Sequence, residues 1–151
     1  WAARDWTSKQ QKPSWLFSRG HKGVYGNVAK STVLVEGIFD MLHVERAGYN
    51  AVAILGTSIT KNVQLALAPA EQLILWFDPD RAGSGGVQNA VKEWMGQKEL
   101  FIVSSPKEAG DIHESTQIME FIDNASNLDV RKYWQLQMSE ELFCDADNNC
   151  G

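Results

Sequence analysis

Cysteine is nearly absent from this chain. Only Cys144 and Cys150 occur in 151 residues, close together at the acidic C-terminal end. They lack the histidine or second cysteine pair that a structural zinc site needs, so free thiols are expected rather than a zinc module or a disulfide framework. Long apolar runs are missing too. None approaches the 18 or more residues of a membrane span, and the polar, tryptophan-bearing N-terminal stretch has no signal-peptide h-region. The expectation is a soluble, intracellular protein with no membrane partner. Internal repeats and low-complexity tracts are also lacking, and 151 residues suffice for one domain around a single core.

Acids are scarce at the start and bases at the end. Residues 1–30 carry Arg4, Lys9, Lys12, Arg19, Lys22 and Lys30 against Asp5 alone, whereas from Glu108 onward ten acids face only Arg131 and Lys132. The net charge of -5 therefore conceals a basic arm that can meet a polyanion. Trp1, Trp6, Trp15 and Phe17 interleave with the bases. That mixture suits stacking of nucleobases beside a basic groove, with Lys12, Trp15, Arg19 and Lys22 as candidate nucleic-acid contacts; it equally suits an arm whose aromatics dock onto the core.

Between the two ends, strand and helix patterns alternate. Thr32–Val35, Ala51–Leu55, Leu73–Phe77 and Leu100–Val103 read as strands, short and almost continuously apolar. Helical spacing runs over Ile38–Ala47 before Gly48, from an N-cap at Thr60 to Pro69, and over Val87–Met95 between Gly86 and Gly96. Strands joined by helices imply an α/β fold with a mainly parallel sheet of about four strands, covered on both faces. Ile112–Ile122 and Leu128–Phe143 also look helical. The expected organisation is a basic, aromatic arm or the remnant of another subdomain at 1–30, an α/β domain at 31–123 and an acidic helical tail at 124–151.

The third strand ends in Asp78-Pro79-Asp80, followed by Arg81 and a glycine-rich stretch from Gly83 to Gly86. Asp-Pro-Asp is good turn chemistry, but two carboxylates leaving a strand's carboxyl end also suit a cation, because open α/β sheets bind ligands at that edge. Glu36 follows the first strand directly, Asp40 lies one helical turn further on, and Glu108 and Asp111 follow the fourth strand. Singly, Glu36 and Asp40 are ordinary helix-start acids. Together, six carboxylates at the exits of three strands repel one another unless protons or cations offset them, and Mg²⁺ is an economical solution.

Val35-Glu36-Gly37-Ile38-Phe39-Asp40, Leu55-Gly56-Thr57 and Phe77-Asp78-Pro79-Asp80-Arg81-Ala82-Gly83 resemble the Toprim domain of bacterial and phage DNA primases. The likeness covers about residues 13 to 123. It implies a Rossmann-like fold and RNA primer synthesis on single-stranded DNA from nucleoside triphosphates, dependent on Mg²⁺ or Mn²⁺, in the cytoplasm of a bacterium or phage-infected host. Glu36, Asp78 and Asp80 would be catalytic. The metal set would be Glu36, Asp40, Asp78 and Asp80 with Glu108 and Asp111 in support, and Arg81, Gly83 and Lys107 would meet phosphates. Lys107-Glu108-Ala109-Gly110-Asp111 departs most from the family pattern. Such primases usually carry a cysteine and histidine zinc module and a larger basic N-terminal half, neither of which is here in full, so the resemblance implies an excised fragment or a compact phage form, with a replicative helicase or a separate zinc-binding template-recognition module as partner. A Toprim nuclease or topoisomerase, an Asp-x-Asp phosphatase and a non-catalytic module docking a helicase remain alternatives.

Overall fold

The computed structural model describes residues 23–129, together with the backbone of two short strands, β1 (Ala2–Arg4) and β2 (Trp15–Phe17), which pair antiparallel. Lys12, Arg19, Lys22, the side chain of Trp15 and everything from residue 130, including both cysteines, lie outside the described residues.

Six further strands form one sheet. They are β3 (Tyr25–Gly26), β4 (Ser31–Val35), β5 (Ala51–Ala53), β6 (Gln72–Trp76), β7 (Glu99–Ile102) and β8 (Ser126–Asn127), in the order β3-β5-β4-β6-β7-β8. The inner four are parallel, with Val33 beside Ile74 and Val35 beside Trp76; the two edges are antiparallel. The inner four are the strands expected from the sequence. The edges were not expected, because two residues are too few to show an alternation.

Side chains alternate across the sheet and fill two cores. Val33, Val35, Ile74 and Trp76 meet Met41 and Val44 of α1 (Ile38–Arg46) and Ile118 and Ile122 of α4 (Ser115–Asp123). On the other face, Leu34, Leu73, Leu75 and Phe77 meet Val63 of α2 (Lys61–Ala66) and Ala90, Val91 and Trp94 of α3 (Arg81–Trp94). Each large side chain so buried contributes roughly 1.5–3 kcal/mol. The parallel strands are apolar at successive positions because both faces are covered. No helix among the described residues is long and apolar enough to cross a membrane.

The winding of the chain sets where a ligand can sit. From β4 the chain passes through α1 to β5 on one side, then through α2 back across to β6 on the other side of β4. The direction reverses between β4 and β6, and the crevice beyond the carboxyl ends of two such strands is where open α/β sheets bind ligands.

Three expectations need correction. Helix α3 starts at Arg81, six residues before Val87, so the glycine-rich stretch is helical. Asp80 is its N-cap, its Oδ1 accepting a hydrogen bond from the Gly83 amide at 2.8 Å. The glycines reflect close approach: a Cβ on Gly83 would lie 2.1 Å from the Asp78 carbonyl oxygen, and one on Gly86 2.9 Å from Thr57 Cβ. Helix α4 starts at Ser115 rather than Ile112, because Ala109–Asp111 forms a 3₁₀ turn and Ile112 is extended and buried. Leu128 and Asp129 are not helical either, the Leu128 amide donating to the Leu100 carbonyl beside the β7–β8 pair; the rest of the helix expected over Leu128–Phe143 lies outside the described residues.

Gly85 has open space where a Cβ would go. Gly85→Ala is expected to stabilise the chain by about 0.5–1 kcal/mol, the cost of glycine inside a helix. Gly83→Ala should destabilise it, since backbone would have to move. Thermal unfolding of the two variants checks the pair, and equal shifts would contradict the packing described here.

Candidate metal centre

The carboxyl ends of β4 and β6 open into a cleft of about 700 Å³. Glu36, Asp40, Asp78, Asp80, Glu108 and Asp111 all line it, with Phe39, Gly56, Thr57 and Gly110 among its other walls. The six sequence-predicted acids, drawn from segments more than seventy residues apart, thus share one space. Topology brings them there: Glu36 leaves β4, Asp78 and Asp80 leave β6, and Glu108 and Asp111 follow β7.

Glu36 and Asp78 are joined directly. The Asp78 amide donates to Glu36 Oε1 at 3.1 Å, tying the end of β6 to the end of β4 across the crevice. Asp78 is half-buried, and its carboxyl is pushed up to about 7, by burial first and then by the charges of Glu36, Glu108, Asp40 and Asp80. Burial also raises Glu36; the Asp78 amide opposes the rise, and Asp80, Asp40 and Glu108 add to it. Asp40 is raised for the same first reason, against amides from Gly110 and Gly37 that hold its charged form. Asp40 is 8% exposed, and both of its oxygens accept amide hydrogen bonds, Oδ2 from Gly37 at 3.1 Å and Oδ1 from Gly110 at 2.7 Å.

Asp80, Glu108 and Asp111 are exposed on the cleft wall. Among the described residues, no lysine, arginine or histidine lines the cleft. Arg81 and Lys107 are exposed and adjoin lining residues in sequence without lining it themselves, and the Lys107 carbonyl accepts from Trp76 Nε1 and Ser105 Oγ. Gly83 is buried, and its amide points to Asp80 rather than into the cleft. His43 and His113 lie outside the cleft, with ring centroids 6.1 Å apart.

Some cleft residues escaped the sequence reading. Gly56 donates its amide to the Glu36 carbonyl, and Thr57 sits against α3 at Gly86. They follow Leu55, a buried leucine at φ 53°, a left-handed conformation that costs a non-glycine residue about 1–2 kcal/mol. The signal was the Leu-Gly-Thr motif, whose glycine has φ 121°.

The donor set fits a hard divalent cation: every charged group on the cleft is a carboxylate, and Asp78 resists ionising without a counter-charge. Among the described residues no three of the acids converge closely enough to enclose an ion by themselves. A hard divalent cation bound here would take one or two of these carboxylates and complete its shell with water or substrate phosphates.

An α/β sheet with carboxylates at this switch point defines a class, and comparison with known proteins gives it a name. The chain belongs to the Toprim domain family, which matches residues 30–112. Within that family its likeness is to the Toprim domains of DNA primases. It is 40% identical over 80 residues to the DNA primase of Rickettsia felis, an alignment covering 51% of this chain and 13% of that protein. A DNA primase domain from Pseudomonas aeruginosa superimposes with a TM-score of 0.73 at 19% identity, over 92% of this chain and 50% of that one. The primase fragment of the bacteriophage T7 primase-helicase protein gives 0.58 at 26% identity, over 74% and 53% of the two chains. The chain thus spans about an eighth of the length of its Rickettsia relative.

Proposed function

We propose that this chain is the catalytic Toprim portion of a DNA primase, joining ribonucleotides on a single-stranded DNA template with a divalent cation, Mg²⁺ or Mn²⁺. One observation carries the reading. Six acids from the ends of three strands line a single cleft at the switch point of the sheet, with no cationic side chain of the described residues among them.

Phosphoryl transfer asks little covalent chemistry of a protein, so positioning and charge neutralisation carry most of it. One or two of Asp78, Asp80 and Glu36 would hold the cation together with substrate phosphates, with Glu108 and Asp111 facing it from the loop after β7. When bound, the ion neutralises phosphate charge and orients the reacting oxygens. Glu36 fixes the Asp78 backbone through its Oε1 and keeps Oε2 for the ion or for the proton of a primer hydroxyl. Asp78 enters the site as a carboxyl that gives up its proton near neutral pH, so cation binding displaces a proton there. Arg81 and Lys107, exposed beside the cleft, would meet triphosphate oxygens. Asp80 caps α3 as well, so its role at the ion is coupled to the start of that helix.

The T7 neighbour joins a primase to a helicase, and the Rickettsia relative is far longer than this chain. Template recognition and helicase contact are accordingly proposed to come from sequence or partners outside residues 23–129, the residues Lys12, Trp15, Arg19 and Lys22 among them.

The test is oligoribonucleotide synthesis on single-stranded DNA from nucleoside triphosphates and Mg²⁺, by this chain and by the full-length product of its gene. Weak synthesis by the chain and strong synthesis by the full product, both lost without template or divalent ion, is expected. A full product that makes no primers, or makes them after chelation of divalent ions, would overturn the reading.

A further inference from the structure

One face of α1 grips the backbone that follows β7. Asp40 Oδ1 accepts from the Gly110 amide at 2.7 Å, His43 Nδ1 lies 2.8 Å from the Ile112 carbonyl oxygen, and Arg46 Nη2 donates to the His113 carbonyl at 2.5 Å. These side chains recur every three residues, so they lie along one side of the helix. The backbone they hold carries Asp111, with Glu108 just before it. Ala109 and Ile112, between and beside those acids, are buried at 1% exposure each, and Trp76 Nε1 donates to the Lys107 carbonyl at 3.4 Å. The segment is thus fastened by its main chain and its apolar side chains, leaving Glu108 and Asp111 exposed on the cleft.

Asp40 holds both ends of this device. Its second oxygen accepts the Gly37 amide at the N-terminus of α1, next to Glu36. Both neighbours are glycines where a side chain would collide: a Cβ on Gly37 would lie 2.6 Å from Asp40 Oδ2, and one on Gly110 2.9 Å from Oδ1. The carboxylate therefore sits between two glycine amides, and a side chain at either position would push an Asp40 oxygen from its place. With each oxygen committed to an amide and only 8% of the residue exposed, Asp40 is poorly placed to give charge to a cleft ion.

We propose that Asp40 is a positioning residue and not a cation ligand: with His43 and Arg46 it latches the 108–113 segment to α1 and thereby sets where Glu108 and Asp111 stand relative to Glu36. The proposal rests on the metal-site reading above, because its consequence is read through cation affinity. Asparagine at position 40 can accept one of the two amide hydrogens through its oxygen, but its NH₂ then faces the other N–H, donor against donor. The latch is lost while the side chain keeps its shape.

The experiment is Mn²⁺ titration of the chain, followed by electron paramagnetic resonance, with amide hydrogen exchange at Gly110 in parallel. Asp40→Asn and Arg46→Ala should each weaken Mn²⁺ binding, by about tenfold and about threefold, although Arg46 cannot ligate an ion. In a Glu108→Gln/Asp111→Asn background, adding Asp40→Asn should cost no more than about twofold further, since a latch has nothing left to position. Exchange at the Gly110 amide should quicken in Asp40→Asn. A full additional tenfold loss in that background would show Asp40 to be a direct ligand, and an unaltered affinity in Arg46→Ala would show that holding the 108–113 segment does not govern the ion; either overturns the latch while leaving the metal site standing. Failure of the wild-type chain to bind Mn²⁺ would overturn the metal-site reading and the latch with it.

Discussion

Asp78→Asn is expected to abolish primer synthesis and, at the same time, to make the chain more stable at pH 8. The first effect follows from charge: Asp78 follows β6, one of the two strands at the switch point, and its carboxylate is central among the proposed cation ligands. A loss of about 10³-fold or more, near 4 kcal/mol in barrier height, is the scale expected when a metal-dependent transfer loses such a group. The second effect follows from the cost of keeping that carboxylate without a cation. Its folded value of about 7 stands above the ordinary 3.8. A raised acid stabilises the fold fully only below its unfolded value, and that contribution disappears as pH rises toward the folded one. Between about pH 4 and pH 7 the cation-free chain should therefore lose stability. An undiscounted shift of this size would amount to about 4 kcal/mol, but Asp78 is half exposed and solvent screening reduces the figure to about 1–2 kcal/mol. Asparagine removes this penalty. Thermal unfolding in chelator should show Asp78→Asn raising the melting temperature at pH 8 and leaving it nearly unchanged at pH 4. An equal shift at both pH values would mean that packing, not ionisation, separates the two side chains.

Trading stability for function at Asp78 also explains what the sequence made legible. The inner strands announced themselves through apolar runs such as Leu73–Phe77, because a parallel sheet must be covered on both sides. The acids could be placed at one edge once those strands were assigned. The start of α3 could not be read in the same way. Glycine is a poor helix former, so Gly83 to Gly86 suggests a loop; the structure shows the helix started by the Asp80 cap, with Gly83 and Gly86 required by close approach to the Asp78 carbonyl and Thr57. The proposed latch was hidden for a related reason. Asp40, His43 and Arg46 bond to backbone atoms of Gly110, Ile112 and His113, and main-chain partners some seventy positions away leave no mark in residue type beyond the glycine itself. Sequence therefore indicated which acids line the cleft, while tertiary contacts set Asp40, with both oxygens on backbone amides, apart from the other five.

Glu36→Gln distinguishes the two ways in which the Asp78-Pro79-Asp80 motif can be used. Glutamine keeps an oxygen able to accept the Asp78 amide, so the tie between β4 and β6 survives and the fold should melt within about 0.5 kcal/mol of wild type, as for substitutions that preserve their contacts. What disappears is one negative charge and one base. If Glu36 takes the primer proton or holds the ion, synthesis should fall about 10²–10⁴-fold, the range associated with general acid-base groups. If Asp78 were instead the nucleophile of an Asp-x-Asp phosphatase, Glu36 would be dispensable and phosphate-ester turnover would persist. A physical readout accompanies the kinetic one. Glu36 is the first charge acting on Asp78 after burial, so its neutralisation should move the Asp78 titration below about 7, visible as a pH-dependent carboxyl shift by NMR. An Asp78 titration that stays in place would mean that the two side chains do not share a field, and the cleft would then lack the coupling on which the cation reading depends.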